Sequence, residues 1–170
     1  MQKQLDDAAL ALTPTAKLGL PLDRFVGSWE GEVTAENIGQ EPVRYLQSIQ
    51  FLWAIDGWFL EERGRGANGT SFIGYRSVDP IDRVYRAIYF LAPGAHLAGM
   101  ELRWNEEEQE FLGKGGSSDP WELRIRERFF GADAYFWEFV LEDGFGHVLA
   151  CTRGELRRVA LSENLRLSST

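Results

Sequence analysis

The chain has 170 residues, 44% of them hydrophobic and 13% aromatic, with a formal net charge of -8. That length and apolar content fit one domain with a sizeable core and exclude a largely disordered chain. The acidic balance argues against a nucleic-acid partner, whose phosphates need a basic stripe, and Cys151, the single cysteine, excludes an intrachain disulfide framework and a thiolate metal site.

The opening stretch MQKQLDDAALALTP places two aspartates where a signal peptide needs its apolar core, and no apolar run nears the roughly 20 residues of a membrane-spanning helix. The expectation is a cytoplasmic protein with no membrane partner. Asn68-Gly69-Thr70 matches a glycosylation acceptor but reads as a turn in that setting. Leu5, Ala8, Ala9 and Leu12 recur at near-helical spacing before Pro14, which predicts a short N-terminal helix over 2–11. Residues 1–20 read as a partly helical extension, 21–159 as the domain and 160–170 as a loose polar tail. Pro21 to Phe25 reads as a single helical turn.

From residue 26 the hydrophobic period becomes two. Ten runs follow, over about 26–36, 42–54, 58–66, 70–78, 83–91, 95–104, 109–116, 121–130, 134–142 and 147–158. Turn signals separate them, among them Asp56-Gly57, Asn68-Gly69, Asp79-Pro80, Pro93-Gly94 and Asp143-Gly144. None of the intervening segments is long enough for a helical crossover, so consecutive strands pair antiparallel. Closing such a meander removes its edges, and the predicted fold is all-β: an antiparallel up-and-down barrel of about eight to ten strands.

The alternation assigns inner faces. Trp121, Leu123, Ile125, Glu127 and Phe129 oppose Glu122, Arg124, Arg126 and Arg128; Tyr135, Trp137 and Phe139 form a second inner row, Met100, Leu102 and Trp104 a third, and Trp58, Leu60 and Glu62 a fourth. Polar groups that fall inward on this pattern are Gln47, Glu62, Arg86, His96 and Glu127. A β-bulge that shifts the parity would return any of them to solvent, whereas burial demands a partner or a wet cavity. Glu62 and Glu127 are candidates for an acid and base in an apolar cavity, with Arg86 as the group that neutralises one of them or meets a ligand carboxylate. A structural salt bridge across the barrel accounts for the same residues. No phosphate loop, zinc-protease motif or nucleophile elbow occurs, and two histidines with scattered carboxylates offer no metal-ligand spacing, so neither a metal nor a cofactor is implied.

Phe25-Val26-Gly27-Ser28-Trp29-Glu30-Gly31, after a helical turn and at the head of a meander, resembles the G-x-W signature of the lipocalin and wider calycin barrels. The resemblance implies that Trp29 packs across the closed end, with an arginine of the last strand stacked on it: Arg153, Arg157 or Arg158. The chain is also similar, over about residues 21–158, to a bacterial family of uncharacterised lipocalin-like domains. Asp56-Gly57-Trp58-Phe59-Leu60, Gly74-Tyr75 and Tyr85 follow in that family's order. One departure is Arg76, which stands directly after Gly74-Tyr75 where the family usually carries an acid.

The resulting expectation is a barrel that binds a small, mostly apolar molecule. Trp53, Trp58, Met100, Trp104, Tyr135, Trp137 and Phe139 would line it, with Glu62, Arg86 and Glu127 as polar anchors. Two alternatives stand beside it. One is an enzyme of the same fold performing cyclase- or isomerase-type acid–base chemistry on an apolar substrate. The other is a homodimeric module that pairs through outward aromatics such as Phe59, Tyr75, Tyr89 and Phe136.

Overall fold

A computed structural model of the chain describes residues 13–18, 20–92, 96–118 and 121–160. The predicted helix over 2–11 and most of the predicted tail lie outside them. Ten strands carry the fold: β1 (Gly27–Asn37), β2 (Val43–Ala54), β3 (Phe59–Gly66), β4 (Ser71–Asp79), β5 (Val84–Ala92), β6 (His96–Asn105), β7 (Glu110–Ser118), β8 (Trp121–Phe129), β9 (Ala134–Glu142) and β10 (Val148–Val159). Each predicted run is a strand, displaced by no more than one or two residues. Every strand pairs antiparallel with its chain neighbours, and β10 returns to β1, from Ser28 opposite Val159 to Asn37 opposite Ala150. The sheet is a closed ten-stranded antiparallel barrel. Among the described residues the helical structure is confined to 3-10 turns at Thr15–Lys17, Pro21–Arg24 and Ile55–Gly57, and no helix is long and apolar enough to cross a membrane.

One end of the barrel is plugged. The turn at Pro21–Arg24 carries Leu22 and Phe25 into the interior, where both are buried. The Phe25 ring touches those of Phe51, Phe111, Phe129 and Tyr135, with centroids 4.8–5.6 Å apart. Each such ring, fully buried, stabilises the fold by about 1.5–3 kcal/mol, so this layer is a main source of cohesion. Trp29 lies beside it, fully buried, edge-on to Tyr135 at 4.8 Å, and its indole N–H donates to the Phe25 carbonyl at 2.6 Å.

Arg158 resolves the choice among the last-strand arginines. It is the cross-strand partner of Trp29, and its guanidinium stacks 4.3 Å from the indole centroid. The same guanidinium donates to the carbonyls of Val26, Arg24 (2.9 Å) and Ala132 (3.1 Å), tying the plug segment to the last strand. The glycines flanking Trp29 make this approach sterically feasible. Gly27 adopts φ +129°, which an L side chain rarely does, and a Cβ there would meet Arg158 Nη1 at 2.6 Å. A Cβ on Gly31 would fall 1.9 Å from the Glu155 carbonyl oxygen, so β10 can pass this closely only over a glycine.

The outer face carries charge in cross-strand pairs. Arg124 meets Glu142 and Arg128 meets Glu108, surface ion pairs that contribute little each, while Arg126 meets Glu110, whose carboxylate is buried.

Candidate functional site

Alternation decides which side chains point inward, and pairing register decides their height. On β3 the inward row is Leu60, Glu62, Gly64 and Gly66; on β4 it is Phe72, Gly74, Arg76 and Val78; on β5 it is Tyr85, Ala87 and Tyr89. Glu62 pairs with Gly74, and Arg76 lies two residues further along the same inner face. From there Arg76 reaches across the interior to Glu127 on β8.

The result is a buried charge cluster with well-defined geometry. Arg76 Nε and Nη2 donate to Glu62 Oε2 at 3.0 and 2.6 Å. Its Nη1 donates to Glu127 Oε2 at 2.6 Å and its Nη2 to Glu127 Oε1 at 2.8 Å, a bidentate pair. The Tyr89 hydroxyl adds a third bond to Glu62 Oε2 at 3.2 Å. All three charged side chains are at most 5% exposed. The guanidinium also rests 4.5 Å from the Phe25 ring centroid, so the cluster sits directly on the plug.

Burial acts unequally on the three charges. It pulls the Arg76 pKa down, but Glu127 and Glu62 outweigh it and hold the guanidinium charged. Burial pushes the Glu62 carboxyl above the ordinary glutamate value; Arg76 opposes that shift and the Glu127 charge adds to it. Glu127 already neutralises Arg76 through two short bonds, which leaves burial to dominate at Glu62. Burial also drives the phenols of Tyr89 and Tyr135 well above their usual range, and both are neutral.

Above this floor the barrel is hollow. A cavity of about 310 Å³ lies between the cluster and the end of the barrel opposite the plug, walled by Ile49, Phe72, Tyr89, Tyr135, Trp137 and Phe139 among others. Three of these rings owe their position to glycines. A Cβ on Gly64 would fall 2.0 Å from the Phe72 ring, one on Gly74 2.7 Å from Tyr89, and one on Gly154 2.8 Å from the Trp137 indole nitrogen. Each ring therefore lies against the sheet over a neighbouring glycine, leaving the axis open. At the rim, burial raises the Tyr45 pKa while hydrogen bonds to Thr70 and Asn68, in the β3–β4 hairpin, oppose it. Gln47 Oε1 and Trp137 Nε1, both in the cavity wall, are buried without a hydrogen-bond partner among the described residues. Larger hollows on the outer surface, of about 570 Å³ beside Arg86 and Trp121 and about 750 Å³ beside the β3–β4 hairpin, are open to solvent and have no comparable buried charge.

The predicted residues separate by height. Glu62, Glu127, Tyr135, Trp137 and Phe139 meet around the cavity. Trp53 and Trp104 lie at the plugged end: the Trp53 indole donates to Asp23 at 3.0 Å, and Trp104 donates to Glu106 at 2.5 Å beside the Arg24 guanidinium. Trp58 closes the Ile55–Gly57 turn, and Met100 is buried in the core outside the cavity lining. Arg86 requires correction. It stands on the outer face, 58% exposed and 3.7 Å from Glu101, and the group that neutralises the interior glutamates is Arg76. Tyr89, assigned to the outer face, is buried inside. The His96 side chain lies outside the described residues. The residue that sequence reasoning missed, Arg76, shares its parity with Phe72, Gly74 and Val78, and its place after Gly74-Tyr75 marks it only as unusual. No group of three or more His, Cys, Asp or Glu residues suited to a metal occurs among the described residues.

No protein-family model matches the chain, and no curated protein does. Solved structures do. A protein of unknown function from the DUF3598 family of Nostoc punctiforme superposes with a TM-score of 0.61 at 9% identity over 81% of this chain, which spans 48% of that longer one. Rv2717c from M. tuberculosis gives 0.67 at 15% identity over 88% of this chain and 99% of its own. The S-type phycobiliprotein lyase CpeS from Guillardia theta gives 0.59 at 14% identity over 92% and 98%. The chain is a ten-stranded barrel of lipocalin-like fold.

Proposed function

We propose that the chain binds a small, mostly apolar molecule inside the barrel. The observation that carries this reading is the hollow itself. In a barrel whose other half is filled by interlocked rings, the glycines at 64, 74 and 154 hold three aromatics back from the axis and leave about 310 Å³ above a buried charged floor. Ligand sites run from roughly 300 to 1,000 Å³ and combine apolar walls with a few polar groups, so a compact ligand fits. A phycobiliprotein lyase is built on the same kind of barrel, so the fold admits roles beyond passive packing. Glu62, Glu127, Tyr135, Trp137 and Phe139 are the contact residues in this reading, joined by Phe72 and Tyr89.

The test is a titration with the neutral fluorescent probe N-phenyl-1-naphthylamine. One saturable site is expected, weakened at least about tenfold by Thr152→Phe, whose ring would enter the cavity from β10. Absence of saturable binding, or binding indifferent to a Thr152→Phe variant with an unchanged circular dichroism spectrum, overturns the reading.

Acid–base chemistry is the second reading, favoured by the raised Glu62 carboxyl at the cavity floor. Glu127 commits both oxygens to Arg76, so a two-carboxylate mechanism would first have to break that pair. Isomerisation and cyclisation leave the mass unchanged, so turnover would appear in the NMR spectrum of ligand extracted from the protein as a bound species converted to its isomer. A spectrum identical for wild type and Glu62→Gln would exclude it.

A further inference from the structure

Of the two floor carboxylates, only Glu62 keeps an oxygen uncommitted. Its Oε2 accepts from Arg76 twice and from Tyr89, whereas Oε1 takes no hydrogen bond among the described residues and is not one of the sealed, unpartnered atoms. Glu62 is 4% exposed and lines the cavity, so the space that Oε1 meets is the cavity. The charge around it is unbalanced. Two carboxylates face one guanidinium, and Arg76 Nε, Nη1 and Nη2 are all engaged by carboxylate oxygens. Four of the five guanidinium N–H groups are taken, so an incoming anion would find a single N–H, on Nη1, and, with Glu62 ionised, one negative charge in excess. Neither a lysine nor a histidine lines the cavity among the described residues.

The walls reinforce this asymmetry. Phe72, Tyr89, Phe139 and Trp137 form a contiguous run of rings, with successive centroids 6.3, 5.8 and 5.5 Å apart. Aromatic faces attract cations through their quadrupole, most strongly where water is excluded.

Building on the binding reading above, we propose that the cavity selects an organic cation: a protonated amine with an apolar body, its ammonium held by Glu62 Oε1 and the surrounding ring faces. The amine and a proton then compete for the same carboxylate. Glu62 is faced by Arg76, Glu127 and the neutral phenols of Tyr89 and Tyr135, and burial raises its pKa, so amine affinity increases as pH rises through its titration. The affinity of a neutral ligand of the same shape does not follow that curve.

Calorimetric titration of the full chain with three para-substituted phenols tests the selection: tyramine, neutral 4-ethylphenol and anionic 3-(4-hydroxyphenyl)propionate. Tyramine is expected to bind at least about tenfold more tightly than 4-ethylphenol, with the propionate weakest. Glu62→Gln is expected to bring tyramine and 4-ethylphenol within about threefold of each other. Should that variant not fold, the wild-type series and its pH dependence still discriminate cation selection from shape selection. Equal or tighter binding of 4-ethylphenol or the propionate, or a tyramine preference that survives Glu62→Gln, overturns cation selection. So does failure of tyramine to bind where the naphthylamine probe does. If the probe itself does not bind, the binding reading falls first, and the two failures are thereby distinguished.

Discussion

The two halves of this barrel use the same residue types to opposite ends. At the plugged end Phe25, Phe51, Phe111, Phe129 and Trp29 point toward the axis and interlock. At the other end Phe72, Tyr89 and Trp137 lie sideways, each over a glycine on an adjacent strand. Glycine has a different task in each half. Gly27 and Gly31 let Arg158 and the β10 backbone come closer, which tightens the plug, while Gly64, Gly74 and Gly154 let rings fold back, which opens the cavity. Aromatic content alone therefore does not determine whether a barrel is filled. The distribution of small residues on the inner face does.

The sharpest way to break the contrast is to remove the boundary between the halves. Arg76→Leu leaves Glu62 and Glu127 buried without their partner and is expected to cost about 3–5 kcal/mol in denaturant unfolding. Without the guanidinium, which opposes the upward shift at Glu62, that carboxyl is raised further in the folded state, so the variant's folded form binds a proton more tightly than its unfolded form. Its deficit is smallest in acid and grows as pH rises through the Glu62 titration. A loss of under about 1 kcal/mol, or one independent of pH, would mean that the cluster is not a structural boundary.

Next in size is a matched pair of truncations. Phe25→Ala removes a fully buried ring and should cost about 3–5 kcal/mol. Phe139→Ala, whose ring already borders empty space, should cost about 1 kcal/mol and enlarge the cavity. Equal losses would show that the two halves are packed alike. The smallest expected effect comes from Gly154→Ala. The added methyl pushes the Trp137 indole off the wall at about 1 kcal/mol in stability, but naphthylamine binding should fall several-fold because the ring moves into the cavity. Unchanged binding in a destabilised variant would separate the glycine from the hollow.

Much of this architecture was legible in the sequence because turn chemistry and a period of two are local signals. The ten strands and their antiparallel order follow from them, and the burial of Trp29 agrees with what the resemblance of its G-x-W stretch implies. Two things were not local. Parity states which face a side chain takes but not its height, which depends on stagger between strands. That is why Trp53 and Trp104, inward by pattern, lie at the plug and not at the cavity. Parity also fails where both faces are apolar. In Val84-Tyr85-Arg86-Ala87-Ile88-Tyr89 either row could face inward, and the structure chooses the one with Tyr85, Ala87 and Tyr89, which expels Arg86. The row with Phe72, Gly74, Arg76 and Val78 is equally ambiguous against Ile73, Tyr75 and Ser77, so no local signal marks the arginine as interior. Glu62 and Glu127 were found because their own strands alternate more cleanly.

The closure of β10 onto β1 also governs how the molecule assembles and comes apart. Nine of its ten ladders join chain neighbours and can form as local hairpins, while the last must bring residues near 28 and 159 together at the largest loop-closure entropy. Arg158 spans that seam, stacked on Trp29 and bonded to the Arg24 and Val26 carbonyls. Contacts that form only once the ring has closed are absent while it is still open. Where closure follows the rate-limiting step, such contacts slow unfolding more than they speed folding, and faster unfolding of Arg158→Ala at an unchanged folding rate is the expected mark of a latch that contributes kinetic persistence.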